Sequence, residues 1–551
     1  MMKRPSDTPQ VTAVTAVGLV GVVAVVVIGH NDASHVTDAV RSALAQGPAV
    51  AEVVAVDDCS TDGSADLLAD LATTEPRVRV LRLPANSGGC GTPRNTGLDA
   101  VTSPYVMFLD SDDILPPGAV DALLTAATQA HAEVASGLCV RRELPEGREV
   151  PWQAPLYAAH AVIEHPARRP RLVHDTICVN KLYRTDFLNT HGIRFPEGRF
   201  PYEDFVFTAR VLAAGPRIVL VPDTVYVWHV RRSAHRLSIS LDRADIENWQ
   251  ARTHACRLTY EILLAAGQKV LARAARAKFL DHELRMYVHE LGLHDANYRR
   301  AWWAHTRAYL AEYDAADWAR NPTAPGRLLG RVILASPEPR DLPRLRELAA
   351  RPARLLPPYA HAPDGTPVWS ADLPGITLEP LLTCPVSLLP LTVDAELRPR
   401  ARAGRLHLRL RLHDLYGRLA EAGGESGPDT VEVEWRHRTD CRARHSRTTA
   451  LAPAPDGSWS AETTVDAAAL GAGTWDLRLR LVFRDGAHRE VTAHALAGAG
   501  LLRRRAGLSA RHGLVLVRPY ATHSGALALR VATGSRGVAA VARRRLRHLL
   551  H

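Results

Sequence analysis

The sequence predicts an α/β domain with a mainly parallel sheet, followed by a helical linker and an all-β sandwich region. Apolar, β-branched runs alternate with segments of helical spacing from residue 22 to about residue 140, which is typical of a parallel sheet covered by helices. Polar clusters follow three of these runs. Beyond Pro374 the apolar residues recur with a period of two, which indicates strands exposed on one face.

Strands and helices alternate strictly in the first part of the chain. The predicted strands are residues 22–28, 52–56, 78–83 and 105–109, and the predicted helices are residues 33–46, 64–71 and 94–100, with a further helix starting at Pro117. Ligands of such sheets bind at the carboxyl ends of the strands. The residues that directly follow each strand are therefore the candidates for a functional site.

Length and charge indicate several domains with different tasks. The chain has 551 residues, more than the roughly 100–200 of one domain. Its composition of 46% hydrophobic and 23% charged residues excludes a wholly disordered or fibrous protein. The net charge is −7 over residues 1–230 and +17 over residues 231–551. A basic second part favours contact with a polyanion or a membrane surface.

Neither the cysteines nor the amino terminus points to an exported, disulfide-bonded protein. The seven cysteines contain no C-x-x-C pair, so we expect no zinc site, no disulfide framework and a reducing compartment. Residues 11–29 form an apolar run behind Lys3 and Arg4, which also suits a signal peptide or short anchor. Gly18, Gly21 and the β-branched content favour a buried strand instead.

The second strand is followed by a polar cluster of two carboxylates and three helix-capping residues. Ser60, Thr61 and Asp62 are good N-caps, which accounts for them as the start of a helix. Capping does not explain Asp57 and Asp58 directly after a buried strand. A carboxylate in that position can accept hydrogen bonds from a base N–H group or a ribose hydroxyl.

The third strand leads into a glycine-rich loop, residues 86–91, whose glycines allow the backbone to approach a ligand closely. Thr92 and Pro93 predict the N-cap and first residue of the next helix. Arg94 then lies in the first helical turn, where the helix dipole disfavours a cation. A phosphate or nucleobase partner explains this placement; a surface ion pair is the alternative.

The fourth strand ends in three acids, Asp110, Asp112 and Asp113. Their charges repel one another unless a cation or hydrogen-bond donors compensate. Mg²⁺ or Mn²⁺ shared with substrate phosphates suits Asp110 and Asp112, because Mg²⁺ takes only one or two protein carboxylates. A loop that caps the following helix is the simpler explanation for Asp113.

The order and spacing of four motifs resemble family 2 glycosyltransferases, inverting, metal-dependent nucleotide-sugar enzymes with the Rossmann-like GT-A fold. The motifs are Asn31-Asp32, residues 56–64, Arg94-Asn95-Thr96-Gly97 and residues 108–113. The resemblance covers roughly residues 20–235. It departs from the family before Asn31, where Ile28-Gly29-His30 replaces a proline and an aromatic residue, so that His30 would stack on the base instead.

The resemblance implies roles for individual residues. Asp58 would contact the nucleobase and Arg94 the nucleotide, while Asp110 and Asp112 would bind ribose and metal. The remaining residues implied in binding of the nucleotide sugar are Asn31, Ser111, Arg231 and Ser238. The metal ligands would be Asp112 and Asp110, with Asp112 the stronger candidate, and His229 is an additional candidate whose alternative is a structural role.

Residues 180–205 are predicted to form the acceptor side of the site. Glu203 and Asp204 begin a helix, where acids favour the helix dipole even without a catalytic task. The same family pattern places its general base in this pair. It implies Asp204 as the base that takes the acceptor proton, with Glu203 orienting the acceptor or the base.

The rest of the chain predicts helices and then sandwiches, ending in a basic tail. The predicted divisions are 1–20 extension, 21–240 GT-A domain, 241–350 helical linker, 365–535 β-sandwich region and 536–551 tail. This architecture resembles wall-teichoic-acid glycosyltransferases, whose terminal immunoglobulin-like domains form trimers. By analogy we expect this chain to form a homo-oligomer, with a trimer as the specific expectation. The final 51 residues hold 11 arginines and no acid. The tail therefore suits an anionic membrane or polymer, or alternatively packs on the sandwich.

Together these patterns predict a cytoplasmic enzyme, peripheral at the inner face of the membrane. It would transfer a sugar from a nucleotide donor to an anionic cell-envelope polymer such as a polyol-phosphate teichoic acid. The first candidate for the donor is a UDP-linked sugar. The alternatives are a capsular-polysaccharide or glycolipid glycosyltransferase and a non-catalytic module that binds glycopolymer. No nucleic-acid recognition motif accompanies the basic charge.

Overall fold

A computed structural model describes the chain from residue 21 to residue 534. Its gaps are residues 146, 232–242, 322–323, 352, 400–404, 423, 425, 441–442, 497–504, 510–512 and 523–524. The chain divides into two compact units, Met1–Phe279 and Leu280–His551. Among the described helices, none is both long and apolar enough to cross a membrane. The first unit carries the predicted site.

From residue 23 to residue 144 the first unit alternates strands and helices, as the sequence predicts. Its strands are β1 (Val23–Gly29), β2 (Val50–Asp57), β3 (Val78–Arg82), β4 (Tyr105–Asp110), β5 (Val134–Leu144), β6 (Arg148–Trp152), β7 (Ala161–Ile163), β8 (Lys181–Arg184) and β9 (Ile218–Arg231). Its helices are α1 (Val36–Leu44), α2 (Ser64–Thr74), α3 (Gly91–Ala100), α4 (Ala119–Ala130), α5 (Thr185–Thr190), α6 (Glu203–Ala213), α7 (Ile246–Ala265) and α8 (Lys269–Lys278).

One mixed sheet runs through this unit in the order β3-β2-β1-β4-β8-β5-β9-β7, with β6 paired to β5. The four strands predicted from residues 22–109 are parallel neighbours, and antiparallel β8 joins them to β5. In the parallel part, Gly29 lies opposite Asp57, and Ile28 lies opposite Asp110. The residues that follow β1, β2 and β4 therefore meet at one edge of the sheet, as predicted.

Burial explains why these runs form the central strands. Val23 to Val27 of β1 and Val106 to Leu109 of β4 are at most 1% exposed, because helices cover both faces of a parallel sheet. The apolar segment that could have been an anchor is thus the central strand β1 from residue 23 onward. Residues 11–20 lie outside the described residues.

The start of α3 corrects one local prediction. Thr92 is not the N-cap, because the helix already begins at Gly91 after Cys90. The Thr92 hydroxyl instead accepts a hydrogen bond from the Gly198 N–H group at 3.1 Å. A Cβ atom on Gly91 would lie 1.9 Å from the Pro196 carbonyl oxygen, so only glycine allows this approach. The glycine-rich loop therefore packs against the 196–199 segment of its own chain.

The described part of the second unit holds helices, one two-stranded β-sheet and two larger β-sheets. The helices are α9 (Arg285–Leu291), α10 (Ala296–Leu310), α11 (Ala315–Ala319), α12 (Pro325–Ala335), α13 (Leu342–Ala349), α14 (Glu379–Leu382), α15 (Arg418–Glu421) and α16 (Ala467–Leu470). The strands are β10 (Ala360–His361), β11 (Pro367–Val368), β12 (Val393–Pro399), β13 (Arg405–Leu412), β14 (Pro428–His437), β15 (Arg444–Ala450), β16 (Ala452–Pro453), β17 (Trp459–Asp466), β18 (Gly473–Phe483), β19 (His488–Val491), β20 (Ala493–Ala495), β21 (Arg505–Ser509), β22 (Gly513–Ala521) and β23 (Leu527–Thr533).

The period-two pattern predicted these strands correctly. In β13, Leu406, Leu408, Leu410 and Leu412 are buried between more exposed polar residues. One sheet has the order β16-β17-β13-β12-β20, and the other has the order β15-β14-β18-β23-β22-β21 with β19 beside β18. The basic tail, residues 536–551, lies outside the described residues.

Gly97 sets the distance between α3 and the sheet, which gives a first prediction. A Cβ atom at this position would lie 2.3 Å from Val26 Cγ1 and 3.2 Å from Val56 Cγ2. Gly97→Ala should lower the free energy of unfolding by about 1–3 kcal/mol, because rigid strands β1 and β2 must give way. Gly292→Ala is the control, since a Cβ atom there meets nothing within 4 Å. Equal urea denaturation midpoints for both variants would contradict this account.

Candidate functional site

The first part of the site lies where β1 and β2 end. The His30 ring contacts the Asp58 carbonyl oxygen through Nδ1 at 2.8 Å. The Asn31 side-chain oxygen accepts the Thr61 N–H group at 2.7 Å. Asn31 and Cys59 both have left-handed backbone conformations, with φ angles of 53° and 59°, so the two loops turn sharply against each other. The structure thus brings Asn31 and Asp58 together, as predicted.

The two neighbouring aspartates have different roles. Asp57 is 1% exposed and accepts the Ser60 N–H group at 3.0 Å, so it holds its own loop. Asp58 accepts the Ser87 N–H group and the Ser87 hydroxyl, both at 2.9 Å. Ser87 was not predicted as a site residue, although it lies in the polar loop between β3 and α3. Ser87 fixes the orientation of the Asp58 carboxylate, which is the predicted contact to the nucleobase.

The acids at the end of β4 likewise differ in what they contact. The Asp113 carboxylate accepts the Tyr226 hydroxyl and the His229 N–H group, both at 2.7 Å. Asp113 therefore ties the loop to β9. The simpler explanation, that Asp113 caps the following helix, is wrong. The Ser111 hydroxyl donates to Asp32 at 2.8 Å. Ser111, predicted to bind the donor, thus contacts a neighbouring loop of its own chain.

Asp112 is the more open carboxylate of this cluster. Its side chain is 48% exposed, against 32% for Asp110. Partial desolvation and the negative charges of Asp110 and Asp32 raise the pKa of Asp112 to about 6. Arg231 counters them through hydrogen bonds of 3.2 Å to the Asp112 carbonyl and 3.4 Å to its carboxylate. His229 also contacts this carbonyl through Nδ1 at 3.0 Å.

The two acids fit a divalent cation that is shared with a ligand. Among the described residues, no group of three or more His, Cys, Asp and Glu side chains is arranged to hold a metal by itself. Asp110 and Asp112 offer hard oxygen donors, and the raised pKa of Asp112 reflects negative charge that a cation would relieve. Diphosphate oxygens would then supply the remaining ligands. Ser238, predicted to lie near the diphosphate, is outside the described residues.

Arg94 lies at the centre of the site and is only 2% exposed. Its Nη2 donates to Asp110 at 2.7 Å, and its Nη1 donates to Glu203 at 2.5 Å and to Asp204 at 3.3 Å. Neither a surface ion pair nor an open phosphate contact describes this geometry. Arg94 connects Asp110, which is predicted to bind the sugar donor, with Glu203 and Asp204, the two acids of the predicted acceptor side.

Glu203 and Asp204 begin helix α6, as predicted. Tyr202 precedes them in a left-handed conformation with a φ angle of 67°, which turns the chain abruptly into the helix. Burial raises the pKa of Glu203 to about 7 and also raises the pKa of Asp204, while Arg94 lowers both. The Asp204 side chain is 21% exposed and that of Glu203 is 12% exposed. Asp204 is therefore the more accessible acid.

Comparison with known proteins finds similarity in the part of the chain that contains most of the site. Residues 24–192 match the family model described as glycosyl transferase family 2. The succinoglycan biosynthesis protein ExoO of Rhizobium meliloti (strain 1021) is 32% identical over 226 residues, which cover 40% of this chain and 64% of ExoO. The poly(ribitol-phosphate) beta-N-acetylglucosaminyltransferase TarS of Staphylococcus aureus (strain MW2) is 29% identical over 211 residues, covering 38% of this chain and 35% of TarS.

A solved structure is similar over a longer range. The crystal structure of S. aureus TarS matches with a TM-score of 0.52 and 19% identity, covering 93% of this chain and 85% of that chain. At this identity the similarity establishes the fold alone. In sequence, the chain covers less than two thirds of the length of ExoO and about a third of the length of TarS.

The position of Arg94 generates a second prediction. Arg94→Met should lower the free energy of unfolding by about 3–5 kcal/mol, because it leaves buried acids without their cation. Arg142→Met is the control, since the pair of Arg142 and Glu149 is 34% and 48% exposed. It should cost less than about 1 kcal/mol. Urea denaturation measures both, and equal small losses would contradict the central role of Arg94.

Adding Glu203→Gln to Arg94→Met tests the cause of the loss. The Glu203 pKa is already raised to about 7, so a neutral amide at this position removes a charge that burial disfavours. The double variant should therefore regain part of the lost stability.

Proposed function

We propose that this chain, whose residues 24–192 form a glycosyl transferase family 2 domain, is an inverting glycosyltransferase that uses a nucleotide-sugar donor. The observation that carries the proposal is the single cluster in which Arg94 joins Asp110 to Glu203 and Asp204. An inverting transfer needs donor-binding carboxylates and an acceptor-side base within one substrate length of each other. The GT-A fold and the strand-end carboxylates support this reading.

The donor would lie along the edge formed by the ends of β2, β1 and β4. Asp58, oriented by Ser87, accepts a base N–H group, which suits uracil and hence a UDP-linked sugar. Asn31, Asp110 and Arg231 line the path toward the diphosphate. Mn²⁺ or Mg²⁺ on Asp112 and Asp110 would neutralise the charge of the leaving diphosphate. Arg231, hydrogen-bonded to Asp112, adds a second positive charge there.

Asp204 would act as the general base. Its carboxylate takes the proton of the acceptor hydroxyl as that oxygen bonds to the anomeric carbon and the carbon–diphosphate bond breaks. Its greater side-chain exposure supports this choice over Glu203. Glu203, held by Arg94 at 2.5 Å, orients the cluster.

For the acceptor, we propose a hydroxyl of an anionic cell-envelope polymer such as a polyol-phosphate teichoic acid. The similarity to TarS supports this class, and the +17 charge of residues 231–551 suits a polyanion. An exopolysaccharide or glycolipid acceptor is the second candidate, which the similarity to ExoO favours.

The proposal includes assembly and location. By analogy with the architecture of wall-teichoic-acid glycosyltransferases, we include a homo-oligomer, specifically a trimer, formed through the all-β region. The basic tail would bring the enzyme to the inner face of the membrane, where anionic lipids attract arginine. The compartment in this proposal is the cytoplasm.

The test of activity is the release of UDP from a panel of UDP-sugars in the presence of purified envelope polymers and Mn²⁺ or Mg²⁺. Asp204→Asn should lower kcat by about 10²–10⁴-fold, because the base is lost. Asp121→Asn is the control, an exposed acid in the first turn of α4. The proposal fails if no donor gives turnover above that of Asp204→Asn.

The metal assignment is tested by thermal unfolding with UDP. UDP should raise the unfolding midpoint of the wild-type protein, and Mn²⁺ should raise it further, since a ligand stabilises the state that binds it. In Asp112→Asn the additional rise should disappear, while in Asp121→Asn it should remain. Stabilisation by UDP that is equal with and without Mn²⁺ would contradict a metal on Asp112.

A further inference from the structure

Lys181 lies in a buried polar network outside the acidic clusters. It is the first residue of β8 and is 8% exposed. Its Nζ donates to the Asp175 carboxylate and the Asn180 side chain, both at 2.8 Å, and to the Ile177 carbonyl at 2.5 Å. The proposed reaction gives this cation no task.

Asp175 completes the network and is 1% exposed. One carboxylate oxygen accepts the Trp152 indole N–H at 2.9 Å. The other accepts the Tyr157 hydroxyl and the Asn180 amide, the latter at 3.2 Å, in addition to Lys181. The partners come from three places in the chain: the end of β6 (Trp152), the turn at Tyr157, and the start of β8 (Lys181 and, just before it, Asn180). The network therefore holds the segment 175–178 rigidly.

This segment contacts the helix that carries the base. The Thr208 hydroxyl of α6 donates to the Thr176 carbonyl at 2.9 Å. The Tyr183 hydroxyl donates to the Cys178 carbonyl at 3.1 Å, which holds the end of the segment against β8. The segment thus contacts Lys181 on one side and, at Thr208, the helix that begins with Glu203 and Asp204 on the other.

We propose that Lys181 is a positioning residue for Asp204, which it orients through the segment 175–178. The inference rests on the proposed function of Asp204 as the base. Lys181 anchors the segment, and the segment in turn places the Thr176 carbonyl against Thr208 of α6. An error of about 1 Å in the position of a base is enough to lower turnover strongly.

One general argument and one observation distinguish the positioning role of Lys181 from simple stabilisation of the fold. A buried ion pair contributes no more stability than apolar residues of the same shape, so stability alone does not explain Lys181 and Asp175. A cavity of about 20 Å³ is lined by Lys181, Asp175 and Thr208 among others. Packing is therefore incomplete between β8 and α6, and the hydrogen bonds of the network set their separation there. The positive charge of Lys181 also lowers the pKa of Asp204.

The first measurement is sugar transfer by Lys181→Met. We expect kcat to fall by about tenfold or more, with the donor KM within about twofold of wild type, because only the acceptor-side base moves. Lys269→Met is the control, since Lys269 is exposed at the start of α8 and should transfer sugar like wild type. An unchanged kcat for Lys181→Met would overturn the inference.

A double variant distinguishes positioning from folding. Lys181→Met leaves the Asp175 carboxylate buried without its cation, whereas Lys181→Met/Asp175→Asn removes both charges and should regain the thermal unfolding midpoint. If Lys181 positions Asp204, kcat stays low in the double variant, because the donor to the Ile177 carbonyl is still absent. Recovery of kcat together with the unfolding midpoint would show a purely structural role.

Chemical rescue gives a direct readout of the cation. Lys181→Ala enlarges the existing cavity, so ethylammonium should raise its kcat by about threefold or more, while ethanol, of similar size but uncharged, should not. Equal effects of both would contradict a role of the charge.

Failure of the proposed function is visible separately, as absence of turnover in the wild-type protein. In that case hydrogen exchange at residues 203–208 still tests the inference. Lys181→Met should lose protection there, and Lys269→Met should not. Unchanged protection would overturn the inference.

Discussion

The site depends on one buried cation. The Arg94 guanidinium, 2% exposed, lies between Asp110 at the end of β4 and the acids that begin α6. Burial raises the pKa of Glu203 and of Asp204, and Arg94 opposes both shifts. Without it, three carboxylates could not come so close in a desolvated place. The same contact brings Asp110, on the proposed donor side, together with Glu203 and Asp204, on the proposed acceptor side.

The acids around this cation divide into two groups by what they contact. Asp57 and Asp113 are almost fully buried and accept backbone N–H groups, so they hold loops in place. Asp112 and Asp204 keep exposed oxygens, at 48% and 21% side-chain exposure. The exposed oxygens of the second group are open to a ligand or substrate. A cluster of acids at a strand end therefore contains both supports and functional groups.

Prediction from sequence succeeded wherever a local pattern decides the structure. The alternation of strands and helices placed Asp58, Asp110 and Asp112 at one edge of the sheet, because parallel strands end at the same edge. It failed for contacts between distant segments. The contacts of Ser87 with Asp58 and of Tyr226 with Asp113 join residues whose spacing in the chain carries no periodic signal. The prediction of Thr92 as the N-cap was wrong, because α3 already begins at Gly91 and the Thr92 hydroxyl accepts the distant Gly198 N–H group.

The sequence by itself determined the order of the elements, the strand-end acids and the acidic start of α6. These follow from apolar periodicity and from the geometry of parallel strands, which act over a few residues. Only the tertiary structure decided which acids pair. Arg94 and Glu203 are 109 residues apart in the chain, yet their side chains meet at 2.5 Å. The physical reason is that burial makes an unpaired charge costly, so the fold selects partners by proximity in space.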